Sequence, residues 1–159
     1  MRSQLGEMLG RHAQSGRVSW IGRRPERRGD VEICEDVRVT EAGIAGDHAP
    51  AGKRAVTLFQ GEHLPVIGSF LGTISPEPAT LRRNIVVEGI NLAALRKAQV
   101  VLGEVIVLIE GPCPPCSRME EVLGPGGYNA MRGHGGWYSS VIQPGRVKLG
   151  DPVSLHALP

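Results

Sequence analysis

The chain has 159 residues, and its 18 Lys and Arg residues outnumber its 16 Asp and Glu residues only slightly, which gives a formal net charge of +2. This length suits one domain with one core and no need of disulfide bonds. The balanced charge gives no indication of a nucleic-acid or membrane partner, so we expect neither, and any anion site must be local. No segment approaches the roughly 20 apolar residues of a membrane-spanning helix. With no apolar signal-peptide core and an odd count of three cysteines, we expect a reduced, cytoplasmic protein.

Glycine and proline are frequent, with 22 and 12 residues, and both are spread along the chain rather than gathered in one tract. Such spacing is typical of many short elements separated by turns. Aromatic residues make up only 4% of the chain, so the core must consist of Val, Ile and Leu. Because β-branched side chains suit a pleated surface, this composition favours strands.

The N-terminal half contains the first predicted strands. Residues 1–17 have no firm apolar period and are predicted to be a peripheral segment, whereas residues 18–159 are predicted to form a single domain. Apolar residues bounded by turn formers predict strands at 18–21, 31–39 and 55–59. The arginine-rich segment between the first two strands is predicted to be a basic loop.

The middle of the chain adds helices to this pattern. Leu64, Ile67 and Leu71 have helical spacing, and Pro65 falls in the first turn of that helix, where its missing N–H costs little. A basic loop that leads into a strand is predicted at 80–87. The other predicted elements are helical turns at 91–95 and 128–132, a strand at 136–142 and two short extended segments within 146–155.

The C-terminal half contains a stiff loop between predicted strands and a helix. Gly103 interrupts the apolar run 100–109 and is predicted to mark a bend between two strands. Three prolines within 111–119 fix φ and predict a stiff loop. A helix is predicted to follow, with Ser117 as N-cap and Glu120 completing a capping box. About seven or eight short strands predict a mainly β fold, a closed or partly open β-barrel with a few short peripheral α-helices.

Cys113 and Cys116, which are separated by two prolines, are the first candidates for chemistry. Cys116 lies at the start of the predicted helix, where unpaired backbone N–H groups and the helix dipole favour an ionised thiolate. A thiolate is a good nucleophile and a good ligand for a soft metal. We therefore predict Cys116 as a metal ligand, and Cys116 and Cys113 as candidate catalytic residues.

The same pair permits three other interpretations. The two thiols can be buried and inert, because cysteine often behaves as a small apolar residue. A thioredoxin-like dithiol requires a βαβ context, which the sequence lacks. A structural zinc site requires two further ligands, and Cys34 and His134 are weak candidates because there is no second Cys-x-x-Cys motif.

A second group of candidates is basic and lies in glycine-flanked loops at predicted strand ends. Its members are Lys53, Arg54, Arg82, Arg83, Asn84, Arg118, Arg132 and His134. Arginine binds a phosphate through two parallel hydrogen bonds, and an asparagine with backbone N–H groups can complete such a site. The alternative is ordinary solvation, since most charged side chains are exposed whatever their role. The histidines are interpreted as structural or surface residues, and none is assigned a catalytic role.

Eight short motifs in a fixed order carry a family resemblance over nearly the whole chain from about residue 18. They are WIGRR at 20–24, GDH at 46–48, KRAVTL at 53–58, EHL at 62–64, LRRNIVVEG at 81–89, GPCPPCSRM at 111–119, RGHGGW at 132–137 and VKLGD at 147–151. Together they resemble the MOSC family, which is named for the C-terminal domain of molybdenum-cofactor sulfurase. No single motif is specific, but their order and spacing are.

The resemblance implies a β-barrel that binds the molybdopterin form of the molybdenum cofactor, with a cysteine of the protein as a ligand to molybdenum. That family cysteine aligns with Cys116 rather than Cys113. The family's Arg-x-Asn element corresponds to Arg82 and Asn84, and its basic residue before the Ala-Val strand corresponds to Arg54. Three further candidates for cofactor binding or contact with substrate are Arg118, Arg132 and His134.

Two functions follow from the resemblance as expectations. The first is a molybdenum-dependent reductase of N-hydroxylated small molecules, supplied with electrons by a separate flavin or iron–sulfur protein. The second is a sulfur carrier that takes a persulfide on Cys116 from a cysteine desulfurase, or a module that handles the cofactor without turnover; Cys113 could resolve the persulfide. A third possibility is a member that keeps the barrel and has lost the cofactor. Neither the extra N-terminal barrel of amidoxime-reducing relatives nor the pyridoxal-phosphate domain of the sulfurase is expected in this sequence.

Overall fold

Seven strands form a closed β-barrel in the computed structural model of the protein, which describes residues 3–159. These residues contain eleven strands in all, including the seven of the barrel. In chain order they are β1 (Gly16–Arg23), β2 (Glu32–Cys34), β3 (Asp36–Thr40), β4 (Gly43–Ile44), β5 (Val56–Gln60), β6 (Ile85–Glu88), β7 (Gln99–Leu102), β8 (Val105–Pro112), β9 (Trp137–Gln143), β10 (Gly145–Lys148) and β11 (Pro152–Ala157). The helices are α1 (Gln4–Leu9), α2 (His63–Leu71), α3 (Pro78–Leu81), α4 (Ser117–Leu123) and α5 (Gly127–Met131), with a 3₁₀ helix at Leu92–Leu95.

The barrel is closed by pairing of its first and last strands. Its order is β11, β7, β8, β9, β5, β6 and β1, and β1 then pairs with β11, so that Gly16 lies opposite Val153. Within it only β5 and β6 are parallel. Because a parallel pair needs a long crossover, the chain between these strands forms α2 and α3 outside the barrel. Closure gives each of the seven barrel strands two partners, as the sequence predicts, and only the short β2 is left at an edge of the main sheet.

The core lies on both sides of β5 and β6. Alternating residues such as Val18, Val87 and Val107 fill the barrel interior, while Phe59 and Val86 point outward into a second cluster beneath the helices. Met119 and Met131 from α4 and α5 complete that outer cluster. Since β5 is buried along its whole length, the loops at its ends are held against a rigid support on both faces.

The predicted mainly β fold with peripheral helices is confirmed, and two local predictions are wrong. The run 31–39 is not one strand, because the chain changes sheets at Glu35: β2 pairs with β1, whereas β3 pairs with β10 and β4 in a small second sheet. The capping box does not form, because Cys116 rather than Ser117 is the N-cap of α4, and it makes no capping hydrogen bond through its side chain. The Glu120 carboxylate instead accepts hydrogen bonds from the backbone N–H groups of Gly126 and Tyr128.

A buried polar cluster of Arg24, Asp47, Thr57 and Asn84 joins β5, β6 and two loops. Asn84 has no exposed surface, and its amide donates to the Gly22 carbonyl at 3.1 Å and the Asp47 carboxylate at 3.0 Å. Its Oδ1 accepts from the backbone N–H of Thr57 at 3.0 Å and from the Arg24 guanidinium at 3.3 Å. All hydrogen-bonding groups of this side chain are therefore used within the protein.

Asn84→Ala is expected to lower the free energy of unfolding by about 2–4 kcal/mol, because it leaves several buried groups without partners. Urea denaturation followed by circular dichroism measures this change. The matched control is Asn129→Ala, since Asn129 is exposed and bonds only to exposed Arg132 at 3.4 Å. Its expected effect is about 0.5 kcal/mol or less. Equal destabilisation by both substitutions would contradict the importance of the buried polar cluster.

Candidate functional site

The stiff loop that carries both site cysteines is attached to the loop before β9. Pro112 is paired with Trp137 at the end of the ladder between β8 and β9, and the backbone N–H of Cys113 donates to the Gly136 carbonyl at 2.8 Å. Gly136 has φ of +89°, and a Cβ at this position would collide with the Leu58 carbonyl oxygen. Glycine here therefore allows the two loops to meet directly above the end of β5.

A cleft of about 460 Å³ opens between these two loops and the start of α2. Its lining residues are Gln60, His63, Asn91, Ala93, Pro112, Cys113, Pro114, Pro115, Gly133, His134, Gly135, Gly136 and Trp137. Apolar and backbone surfaces dominate this wall, and a few polar side chains point into it, which is typical of a small-molecule site. A larger hollow of about 620 Å³ lies beside the small sheet, but it is more open and is lined by no cysteine or histidine.

The two cysteines of the loop have different surroundings. Cys113 is 7% exposed and lies in the cleft wall, whereas Cys116 is exposed. Burial raises the pKa of the Cys113 thiol, and this effect outweighs the opposing positive charges nearby. The charges that oppose it belong to Arg83, Arg54 and Arg24. Cys113 is therefore a protected thiol in a positive field, and Cys116 is the accessible one.

Arg83 and Arg54 hold the positive charge beside Cys113. The Arg83 guanidinium donates to the Gly135 carbonyl at 2.8 Å and to the Leu81 carbonyl at 2.6 Å, so it ties two loops of the cleft together. Arg54 is exposed and lies over the ring of Tyr138, 4.3 Å from the ring centre. Burial and the nearby Cys113 raise the pKa of Tyr138. The phenol thus stays protonated while it packs against a cation.

A second cavity, the arginine depression, has a volume of about 550 Å³ and is lined by Arg28, Arg82 and Arg118 together with one acidic side chain, that of Asp30. Burial lowers the pKa of Arg82, and the positive charge of Arg118 acts in the same direction. Arg82 donates to the carbonyls of Glu26, Arg27 and Gly29 and so fixes the basic loop. The buried Nε of Arg118 has no hydrogen-bond partner within the protein. This depression can therefore accept an anion.

The structure separates the predicted site residues into groups. Cys113 and His134 line the cleft, Arg82 and Arg118 line the arginine depression, and Cys116 lies in the loop between them. Asn84 lies beneath the surface in the buried polar cluster and supports the arginines from inside. Arg132 is exposed and bonds to Asn129, and Arg54 packs on Tyr138.

Sequence reasoning gave no site role to three residues that line the cleft, His63, Gln60 and Trp137. It included Arg83 only as one of the basic candidates, whereas in the structure Arg83 rather than its neighbour Arg82 acts on Cys113. The motifs at 62–64 and 132–137 contained a usable signal, since each places a histidine beside a glycine-flanked strand end. That the two histidines meet was not visible in the sequence.

The described part of the chain offers too few metal ligands for a complete site made by the protein alone. Among residues 3–159, no group of three or more His, Cys, Asp and Glu side chains is arranged to hold a metal ion. A metal bound through Cys116 would therefore take its other ligands from a cofactor, water or substrate. The same residues include no helix long and apolar enough to cross a membrane.

The sequence matches the model of the MOSC domain over residues 44–154. This match includes β5, both loops of the cleft and most of the barrel. The chain belongs to the MOSC domain family. No curated protein is similar enough in sequence to count as a match.

Solved structures share the fold at low sequence identity. The YuaD protein from Bacillus subtilis superimposes with a TM-score of 0.79 at 17% identity, over 92% of this chain and 98% of that chain. YiiM from Geobacillus stearothermophilus has a TM-score of 0.74 at 19% identity, with 89% and 75% of the two chains covered. YiiM from Escherichia coli has a TM-score of 0.69 at 22% identity, with 90% and 71% covered. These likenesses establish the barrel and leave the activity open.

The difference in exposure predicts an order of thiol modification. Iodoacetamide is expected to label Cys116 at least tenfold faster than Cys113, because the Cys113 thiol is shielded and burial raises its pKa. Peptide mass spectrometry over a time course measures both rates. In Cys116→Ser the fast phase at this loop should vanish, whereas in Cys113→Ser it should remain. Equal labelling rates for the two thiols would contradict this assignment.

Proposed function

We propose that the protein binds a molybdenum cofactor of the molybdopterin type through Cys116 and reduces N-hydroxylated small molecules. One observation supports this proposal above the others: the exposed thiol of Cys116 lies between loop residues 112–115, which line a largely apolar cleft, and Arg118, which lines the arginine depression. A cofactor with a metal end and a phosphate end requires these two environments next to each other.

The donor groups of the site fit such a cofactor. Cys116 supplies one soft ligand, and a pterin dithiolene would supply two more sulfur atoms, which agrees with the absence of a complete protein ligand set in residues 3–159. The unpartnered Nε of Arg118 provides a donor for a phosphate oxygen. When bound, the group would supply two-electron redox chemistry.

Each predicted residue then has a distinct role. Arg82 and Arg118 would hold the phosphate end, and Arg82 also fixes the basic loop through three carbonyl groups. Asn84 would act indirectly, by positioning Arg24 and the start of β6. Arg54 and Arg132 would lie around the entrance, His134 would line the cleft, and Cys113 would form the wall beside the reacting group. Small substrates would enter the cleft, and electrons would come from a separate flavin or iron–sulfur protein.

The first test is the metal content of protein purified from a host that makes the cofactor. Wild-type protein and Cys34→Ser are expected to carry close to one molybdenum and one pterin per chain, measured by inductively coupled plasma mass spectrometry and by fluorescence of the oxidised pterin. Cys116→Ser is expected to lose at least nine-tenths of the metal, because it removes the thiolate ligand. Wild-type protein without molybdenum or pterin would refute the proposal.

A sulfur-carrier role is the second candidate, favoured by the exposed thiol of Cys116 with a protected thiol three positions before it. In this role Cys116 attacks the outer sulfur of a desulfurase persulfide, which leaves the desulfurase cysteine as a thiol and Cys116 as a persulfide. After incubation with a cysteine desulfurase and cysteine, unreduced wild-type protein should gain about 32 Da, the mass of one sulfur atom, on the peptide that contains Cys116. Cys116→Ser is the control, and an unmodified wild-type peptide would exclude the role.

A further inference from the structure

Two histidines from distant parts of the sequence meet at one end of the cleft. His63 begins α2, and His134 lies in the loop before β9. Their ring centres are 4.8 Å apart at an interplanar angle of 82°, which is an edge-on contact. Phe70 packs on His134 with a centroid distance of 5.7 Å and shields it from solvent on one side. Both rings line the cleft that contains Cys113 in its wall.

The two histidines differ in their access to water. His63 lines the cleft and also an adjoining open hollow of about 370 Å³, together with Gln60 and Glu62. His134 lines only the cleft, and its Nδ1 is buried without a hydrogen-bond partner in the protein. His63 therefore faces solvent on one side and the second imidazole on the other. This arrangement connects the interior of the cleft to bulk water through two titratable rings.

The surroundings of His63 disfavour its charged form on balance. Burial and the nearby His134 lower the pKa of His63, and Glu62 opposes this effect. Hydrogen bonds, the first of them from the Gly89 backbone N–H, outweigh burial and lower the pKa of Glu62. Glu62 is therefore ionised when the histidines titrate. The other titratable or charged groups at this end of the cleft are Cys113 and Arg83, and Arg83 bonds to the Gly135 carbonyl.

We propose that His63 and His134 form a proton relay, in which His63 takes a proton from the open hollow and His134 delivers it to the oxygen of an N-hydroxylated compound in the cleft. This inference rests on the proposed reductase function. Reduction of R₂N–OH to R₂NH and water breaks the N–O bond and takes up two electrons and two protons. The electrons would be supplied by the bound molybdenum cofactor, and the relay supplies the proton that makes the oxygen leave as water. The second proton, on nitrogen, comes from solvent.

The chemistry of the cleft explains why a relay is needed. Prolines and glycines form much of its wall and carry no titratable side chain, and the Cys113 thiol is buried. Among the described residues that line the cleft, the two histidines carry the imidazole, the side chain that most often serves as general acid or base in proteins. A positioned general acid typically contributes about 10²–10⁴-fold to a rate.

The test measures kcat for N-phenylhydroxylamine with reduced methyl viologen as electron donor between pH 5 and 8, with molybdenum content determined for every variant. In wild-type protein kcat should fall as pH rises, because the protonated pair is depleted. His134→Gln should lower kcat about 100-fold and abolish this fall while keeping its molybdenum. His63→Gln should lower kcat about tenfold, and added imidazole should partly restore it through the open hollow. His156→Gln, which changes an exposed histidine of β11, is the control and should match wild-type protein.

A second measurement does not depend on turnover. Titration of the imidazole resonances by NMR should show that His134→Gln raises the pKa of His63, because the neighbouring positive charge is gone. Variants that retain the wild-type rate and pH profile, or an unchanged His63 titration, would overturn the relay while the cofactor assignment stands. Loss of molybdenum from His134→Gln would assign that residue to cofactor binding instead and also overturn it. Wild-type protein without molybdenum and without turnover would refute the proposed function, and the relay with it.

Discussion

The arrangement of the site depends on the buried ion pair between Arg24 and Asp47. The Arg24 side chain is 12% exposed and that of Asp47 is 1% exposed, and the distance from Nη2 of Arg24 to Oδ2 of Asp47 is 3.0 Å. Burial alone would raise the pKa of Asp47, but the hydrogen bonds and charge of Arg24 outweigh it, so the pKa is lowered. Removal of one partner from such a pair typically costs about 3–5 kcal/mol, because the other charge stays buried. The pair is therefore a strong constraint on the loops that carry it.

This constraint extends to the candidate site through backbone carbonyl groups. Arg24 also donates to the Arg82 carbonyl at 3.0 Å and so holds the end of α3, where Arg82 adopts a left-handed φ of 57°. That turn directs Arg82 toward the basic loop and Arg83 toward the cleft. Two adjacent arginines thus serve the arginine depression and the cleft separately. The positions of the charges on each side of the cysteine loop therefore depend on a cluster that lies beneath the surface.

The sequence was sufficient to predict the barrel because most strands are short apolar runs between glycines and prolines. Gly103 marked the turn between β7 and β8, where it has φ of 60°. The change of sheet at Glu35 could not be predicted, since β2 and β3 follow each other with the same kind of residues and no breaker. For the site, the motifs identified the loops but not the directions of the side chains. Whether Arg82 or Arg83 faces Cys113 depends on the backbone turn at Arg82, and the contact of His63 with His134 depends on the crossover that places α2 against α5.

The pairing of β1 with β11 has a consequence for the order of assembly. The strand that completes the barrel is the last element of the described chain, and its partners β1 and β7 precede it by long stretches of sequence. Contacts of such high sequence separation form late, because the entropy of closing a long loop must be overcome first. During synthesis, the cysteine loop and the cleft residues therefore leave the ribosome before the barrel beneath them can close. Until then, the apolar faces of β5 and β6 are open to chaperones or to other chains.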